Sequence, residues 1–202
     1  MPYKKELNYL TEADPILGDL IKLKGKCTLA PDDSNPFESL CRAIIYQQLS
    51  GKAAGTINAR FKALYRGRNP SLKQLLNTDD ATIRNVGLSR NKMLALQDLA
   101  QKSMDGSLNF KVLPDLDDEA VIQHLIQVRG IGRWTAEMFL MFTLGRLDVF
   151  SPGDLGLQKA IQQLYGYQKL PAERTLHRHA NQWKPYRTLA CWYLWRLVDD
   201  EV

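Results

Sequence analysis

Signals that begin and end helices recur along most of the chain, and they constrain its fold more than any other feature. Asn35-Pro36 joins a capping side chain to a first-turn proline, and apolar residues follow it at three- and four-residue spacing. Clean alternation typical of strands is missing apart from a weak hint near Phe110. The pattern predicts an all-α fold of about ten helices, at residues 37–48, 52–65, 72–76, 79–85, 90–100, 118–128, 133–144, 154–165, 172–182 and 186–198.

Composition places this chain among globular proteins with a basic surface. Its 202 residues suit one domain, 1–202, and the net charge of +5 suits a polyanionic partner. The three cysteines are widely spaced and contain no CxxC pair, so neither a disulfide framework nor a cysteine-rich zinc site is expected. No apolar run reaches the roughly 18 residues of a membrane span, and no signal peptide is recognisable, so we expect no membrane contact and no secretion.

A short turn between two predicted helices carries the first functional signal. Residues 128–136 read VRGIGRWTA, with Gly130 and Gly132 two positions apart and an arginine on each side. Glycine lets another backbone approach closely, and the amides at the start of the second helix favour an anion. The pattern G-x-G is also typical of a plain tight turn. The basic flanks, Arg129 and Arg133, favour a phosphate clamp.

Four segments together resemble a known family. They match, in the same order, the helix–hairpin–helix DNA glycosylases named for that motif and a Gly/Pro-rich loop with an aspartate (HhH-GPD), and within them the 3-methyladenine glycosylase II, or AlkA-type, branch. The resemblance covers roughly residues 35–198. Longer members of that branch have an additional N-terminal β domain, and this sequence resembles a compact form without it. The segments are 42–54 (RAIIYQQLSGKAA), 127–136 (QVRGIGRWTA), 150–157 (FSPGDLGL) and 183–195 (WKPYRTLACWYLW).

The resemblance implies both an architecture and an activity. It implies a hairpin-containing lobe at about 50–150, a terminal lobe of 1–49 plus 151–202, and an active-site cleft between them. The implied activity is hydrolysis of the N-glycosidic bond of N3- or N7-alkylated purines, flipped out of double-stranded DNA, as the first step of base-excision repair. The alternative is a non-catalytic helix–hairpin–helix module that only binds DNA.

Asp154 is the candidate catalytic residue, because a carboxylate stabilises the positive charge that builds on the sugar as the base departs. Without the resemblance, Asp154 reads as the N-cap of the helix that follows. Asp148 is the rival carboxylate, interpreted as a solvated loop residue. The candidate base-pocket residues are Trp134, Met138 and Trp195, since flat and polarisable side chains receive an extruded base. Trp183 and Trp192 are interpreted as core.

The remaining candidates concern DNA and ions. Leu49 or Gln48 is the candidate wedge that fills the space of the flipped nucleotide, although a core leucine is an equal reading of Leu49. The resemblance implies a bound Na⁺ or K⁺ at the carbonyls of Ile126, Val128 and Ile131. Candidate contacts to the DNA backbone are Arg90, Lys92, Arg129, Gly130, Gly132, Arg133 and Thr135. For Arg90 and Lys92, a solvated helix face is the alternative interpretation.

Trp134 also bears on the reaction type, because superfamily members that nick the strand carry a lysine at this position. We therefore expect a monofunctional enzyme without lyase activity. Iron–sulfur members carry four C-terminal cysteines, and only Cys191 lies in that region, so no cluster and no organic cofactor are expected. We further expect a monomer in the cytoplasm or nucleoid of a bacterium, or in a eukaryotic nucleus.

Overall fold

The all-α prediction is confirmed. The computed structural model describes residues 2–32 and 34–199, and all regular structure in that part of the chain is helical. None of its helices is both long and apolar enough to cross a membrane. The helices are α1 Lys4–Ala13, α2 Pro15–Lys24, α3 Pro36–Tyr46, α4 Gly51–Ala63, α5 Leu72–Asn77, α6 Asp80–Asn85, α7 Arg90–Asp105, α8 Asp118–Ile126, α9 Arg133–Phe142, α10 Leu155–Leu164, α11 Glu173–Gln182 and α12 Arg187–Asp199, with a 3₁₀ turn at Leu113–Asp115.

Two helices lie where none was predicted, near the N-terminus. Helix α1 follows Tyr3, whose side chain makes no capping hydrogen bond, so its start carries no sequence signal. Helix α2 starts at Asp14-Pro15, and the Asp14 carboxylate accepts the Leu17 amide at 3.1 Å. This is the same combination of cap and proline that revealed α3, so the sequence did contain the signal for α2.

The first of two compact units spans Asp32–Phe139 and contains the hairpin. Helix α7 lies at its centre and packs against α3, α5 and α6. Large apolar side chains from α4, α5, α6 and α7 are fully buried there: Phe61, Leu75, Ile83, Met93 and Leu96. The predicted lobe began at residue 50, but α3 belongs with this unit because it packs on both α4 and α7.

The second compact unit joins the two ends of the chain, Met1–Pro31 and Leu140–Val202. Helix α12 packs against α2 and α10, and α1 packs against α2. Asp14 is buried at this junction and accepts hydrogen bonds from the Tyr165 hydroxyl at 2.5 Å and the Trp183 indole nitrogen at 2.9 Å. One carboxylate thus connects the N-terminal helices to α10 and to the end of α11.

Candidate functional site

The hairpin between α8 and α9 has the backbone that its glycines predict. Gly130 has a φ of +76°, and a Cβ there would lie 3.3 Å from the Cβ of Ala95. The Ile131 amide donates to the Val128 carbonyl at 3.1 Å, which closes the turn. The Gly132 carbonyl accepts the Ala136 amide and so begins α9, and the space around Gly132 is open. The positive end of the α9 dipole therefore lies at an accessible turn.

Two side chains from other parts of the same unit hold this hairpin. The Asp98 carboxylate of α7 accepts the Arg129 amide at 2.7 Å and pairs with Lys102. Burial acts to raise the pKa of Asp98, but these hydrogen bonds and the two cations outweigh it and lower the pKa. The Gln47 side-chain amide donates to the Gly130 carbonyl at 2.9 Å. These two hydrogen bonds restrain the backbone of the turn at Arg129 and Gly130.

Arg133, a predicted phosphate contact, is already paired with two carboxylates. Its guanidinium donates to both oxygens of Glu119, at 2.6 and 3.1 Å, and to Glu137 at 3.2 Å. The hydrogen bond from Arg133, with one from Gln123, lowers the pKa of Glu119 to about 2. Arg133 thus connects α8 to α9, and its positive charge is neutralised locally.

The other predicted hairpin contacts differ in accessibility. Arg129 and Arg90 are exposed, as a phosphate contact requires. Thr135 is buried, and its hydroxyl lies 3.4 Å from the Gln47 amide nitrogen. Trp134 is 46% exposed, and Met138 follows it by one turn of α9, half-buried. These two pocket candidates therefore share one side of the helix.

The loop between α3 and α4 presents both wedge candidates to solvent. Gln48 has a φ of +56°, an uncommon conformation for a residue other than glycine, and Leu49 is 40% exposed. Leu49 is therefore not a core leucine. Lys92, predicted to contact phosphate, instead donates from its ammonium to the carbonyls of Ile45 and Gln47, at 2.7 and 2.8 Å.

In the other unit, Asp154 lies at the start of α10, where the helix needs a cap. It is the N-cap of α10, with its Oδ1 atom 2.8 Å from the Leu157 amide, and only 8% of the residue is exposed. The same oxygen accepts the indole N–H of Trp195 at 3.1 Å. Trp195 packs in turn against Phe142, with ring centroids 5.8 Å apart. Trp195, predicted as a stacking surface, therefore also orients the candidate catalytic carboxylate.

Gly156 belongs to this site, although sequence reasoning did not single it out. A Cβ at Gly156 would lie 3.1 Å from Asp154 Oδ1 and 3.3 Å from the Trp195 ring. The missing side chain allows the carboxylate and the indole to meet. A glycine in the first turn of a helix, where alanine is normally favoured, was the available signal.

Asp148, interpreted from the sequence as a solvated loop residue, is instead half-buried and paired with an arginine. Its carboxylate pairs with the Arg187 guanidinium, at 2.6 and 3.1 Å, and the same guanidinium donates to the Asp148 carbonyl at 2.7 Å. The pair anchors the start of α12. Of the two tryptophans interpreted as core, Trp183 is fully buried, whereas Trp192 is half-buried with the Arg196 guanidinium over its ring.

Comparison with known proteins decides the family. The sequence profile of the family described as "HhH-GPD superfamily base excision DNA repair protein" matches residues 41–185, which include the hairpin, the loop between α3 and α4, and Asp154. The chain belongs to this superfamily. Among related HhH-GPD proteins, DNA-3-methyladenine glycosylase 1 of Schizosaccharomyces pombe is 35% identical over 181 residues, which are 88% of this chain and 79% of the relative.

Two solved HhH-GPD structures resemble this one over nearly their full length. A DNA-3-methyladenine glycosidase from Bacillus halodurans has a TM-score of 0.87 and 38% identity, covering 97% of this chain and 91% of the other. The 3-methyladenine DNA glycosylase of S. pombe, in complex with abasic DNA, has a TM-score of 0.87 and 32% identity, covering 97% of each chain. These likenesses support the predicted family resemblance.

Proposed function

We propose that this HhH-GPD protein is a DNA-3-methyladenine glycosylase, which hydrolyses the N-glycosidic bond of N3- and N7-alkylated purines in double-stranded DNA. The observation that carries the proposal is the buried Asp154 carboxylate, which the Leu157 amide and the Trp195 indole hold at the start of α10. The names of its relatives, which match most of the chain, support the same substrate class.

Asp154 supplies the charge that the reaction needs. The bond from C1′ of the sugar to the purine nitrogen breaks, its electron pair leaves with the base, and positive charge develops on the sugar. A carboxylate already oriented by two donors stabilises that charge without reorganising during the reaction. Water then forms the new bond to C1′, and its proton passes to Asp154 or to solvent. A cationic alkylated purine leaves as a neutral base and needs no separate acid.

Substrate choice follows from the side chains proposed to receive the base. Trp134, Met138 and Trp195 offer flat or polarisable surfaces, on which an electron-poor, positively charged ring stacks well. The same positive charge weakens the bond to the sugar. We expect 3-methyladenine and 7-methylguanine to be released fastest, and neutral lesions such as ethenoadenine or hypoxanthine more slowly.

The hairpin unit is proposed to hold the duplex. The backbone of Gly130 and Gly132 and the exposed side chains of Arg129 and Arg90 supply contacts to phosphate, which carry little sequence information. Leu49 or Gln48 enters the duplex and fills the space of the extruded nucleotide.

A monovalent cation fits the hairpin by its donor chemistry. The carbonyls of Ile126, Val128 and Ile131 are neutral oxygen donors, and the last carbonyls of a helix such as α8 have no amide partner within it. The Val128 carbonyl already accepts the Ile131 amide, which leaves one lone pair for an ion. Na⁺ or K⁺ bound there would add positive charge close to a phosphate.

A panel of lesion duplexes tests the proposal against the alternative of a non-catalytic DNA-binding module. Methylated duplex DNA is incubated with the protein, and the released bases are separated by chromatography. Release of 3-methyladenine or 7-methylguanine is expected. Binding without release from any lesion would support the module, and uracil or an oxidised purine as the main product would overturn the substrate class.

The protein is proposed to act as a monomer. The reaction is proposed to stop at base removal, because Trp134 provides an indole where a nicking enzyme has an amine. Borohydride trapping on lesion DNA should therefore yield no covalent adduct. A stable trapped complex would show that a lysine reaches C1′ of the sugar and would contradict the monofunctional assignment.

A further inference from the structure

Lys92 lies where the last turn of α3 ends and the wedge loop, residues 47–50, begins. Its ammonium donates to the Ile45 and Gln47 carbonyls. The last carbonyls of a helix lack partners within the helix, and the C-terminal end of its dipole attracts a cation. A lysine from α7 thus caps α3 from a different part of the chain. Burial lowers the pKa of Lys92.

Gln47 is held at both ends as a result. Lys92 binds its carbonyl, and its side-chain amide binds the Gly130 carbonyl of the hairpin. The next residue, Gln48, adopts the left-handed conformation, and Leu49 follows it, exposed, with its amide donating to the Tyr46 carbonyl at 3.3 Å. An unfavourable backbone conformation persists only where its surroundings hold it, and here the two ties on Gln47 provide that restraint.

We propose that Lys92 is a positioning residue for base extrusion: it holds the wedge loop in the conformation from which Leu49 or Gln48 enters the duplex. This inference rests on the proposed function and deepens it. Insertion of a preset loop avoids the entropic cost of ordering it during extrusion. Two of the three ammonium protons point to carbonyls, so the contribution of Lys92 to phosphate binding is secondary.

The first test measures the loop itself, without DNA. Amide hydrogen exchange is followed over residues 45–50 in the wild type, in Lys92→Met, and in a matched control, Lys111→Met, which removes an exposed lysine of the same unit. We expect exchange in this segment to accelerate about tenfold or more in Lys92→Met, as loss of a charged hydrogen bond predicts, and to stay unchanged in the control. Unchanged exchange in Lys92→Met would overturn the proposal.

The second test separates extrusion from backbone binding. Single-turnover release of 7-methylguanine is compared between a lesion paired with cytosine and the same lesion opposite an abasic analogue, where no pairing has to be broken. Lys92→Met should lose about tenfold on the paired lesion and less than about threefold on the unpaired one. Gln47→Met leaves the charge of Lys92 in place and removes the hydrogen bond from the Gln47 side chain to the Gly130 carbonyl. This variant should likewise lose more activity on the paired lesion than on the unpaired one.

Two outcomes contradict the positioning role. One is an equal loss on both lesions. The other concerns the slope of log affinity against log salt concentration for undamaged duplex. If this slope becomes shallower by about 0.9 in Lys92→Met, the substitution has removed one phosphate contact. If the wild type releases no base from either lesion, the proposed function fails, whereas hydrogen exchange still decides whether Lys92 holds the loop.

Discussion

At Asp154, one oxygen atom caps a helix and receives the indole N–H of a distant tryptophan. The two reasonable interpretations of this residue, structural cap and catalytic carboxylate, therefore do not compete. Capping buries and orients the carboxylate, and an oriented carboxylate is what the departing base requires.

Replacing Asp154 with asparagine separates these two roles. Asparagine is also a good N-cap and keeps an oxygen for both donors, so the free energy of unfolding should change little. Removing the charge should slow single-turnover base release about 100-fold or more, while affinity for abasic DNA stays equal or rises. Asp148→Asn is the matched control: it weakens the pair with Arg187 and should lower stability with a near wild-type rate. A near wild-type rate for Asp154→Asn would show that another group stabilises the charge on the sugar.

Gly156→Ala should slow the reaction by moving the carboxylate. The added Cβ would meet Asp154 Oδ1 and the Trp195 ring at distances that require both to shift, and small misplacements of reacting groups cost about tenfold to 100-fold in rate. Gly55→Ala in α4 is the control, because its Cβ would meet only the Tyr46 hydroxyl at 3.7 Å. We expect the control to raise the melting temperature slightly, as alanine does in helices, and Gly156→Ala to lower both rate and melting temperature.

Among the elements, the hairpin shows how neighbouring helices decide which charges remain available. Arg129 and Arg133 flank the same turn. Asp98 binds the backbone amide of Arg129, and the residue itself is exposed. The guanidinium of Arg133 lies between Glu119 and Glu137. Two arginines four residues apart in one motif consequently have different environments.

The salt dependence of DNA binding distinguishes these arginines. Arg129→Ala should weaken binding to lesion and undamaged duplex alike and make the dependence of log affinity on log salt shallower by about 0.9 per lost phosphate contact. Arg133→Ala should change that slope less, because two carboxylates already neutralise its charge. Fluorescence anisotropy at several salt concentrations measures both. A larger slope change for Arg133→Ala would show that DNA displaces Glu119 from the guanidinium.

At the scale of the whole molecule, the unit that contains Asp154 is assembled from both ends of the chain. Asp14 is its polar centre, since it accepts hydrogen bonds from a tyrosine and a tryptophan more than 150 residues away. A buried carboxylate is tolerated there because donors surround it.

Asp14→Ala should lower the free energy of unfolding by about 2–4 kcal/mol, because the half-buried Tyr165 and the buried Trp183 would lose the acceptor of their hydrogen bonds. Asp19→Ala, in the same helix α2, removes an exposed carboxylate paired with Lys22 and should cost less than about 0.5 kcal/mol. Urea denaturation measures both variants. Equal effects of the two substitutions would mean that the hydrogen bonds of Asp14 stabilise the protein no more than a surface ion pair does.

Local signals in the sequence were sufficient for much of this protein. Caps, prolines and apolar spacing predicted α3 to α12, because these interactions form within a few residues of the chain. The G-x-G turn likewise predicted the hairpin, and the FSPGD segment indicated Asp154. Helix α2 was missed, although Asp14-Pro15 contained the signal for its start.

Only the tertiary structure decided what the charged and polar side chains bind. Lys92 caps α3 rather than facing solvent, Arg133 pairs with two carboxylates, and Gly156 makes room for the bond between Asp154 and Trp195. Each of these contacts, apart from that of Arg133 with Glu137, joins segments separated by 14 to 47 residues. A sequence pattern shows that a charge is present, but its partner depends on which helices pack together, and packing is a property of the folded core.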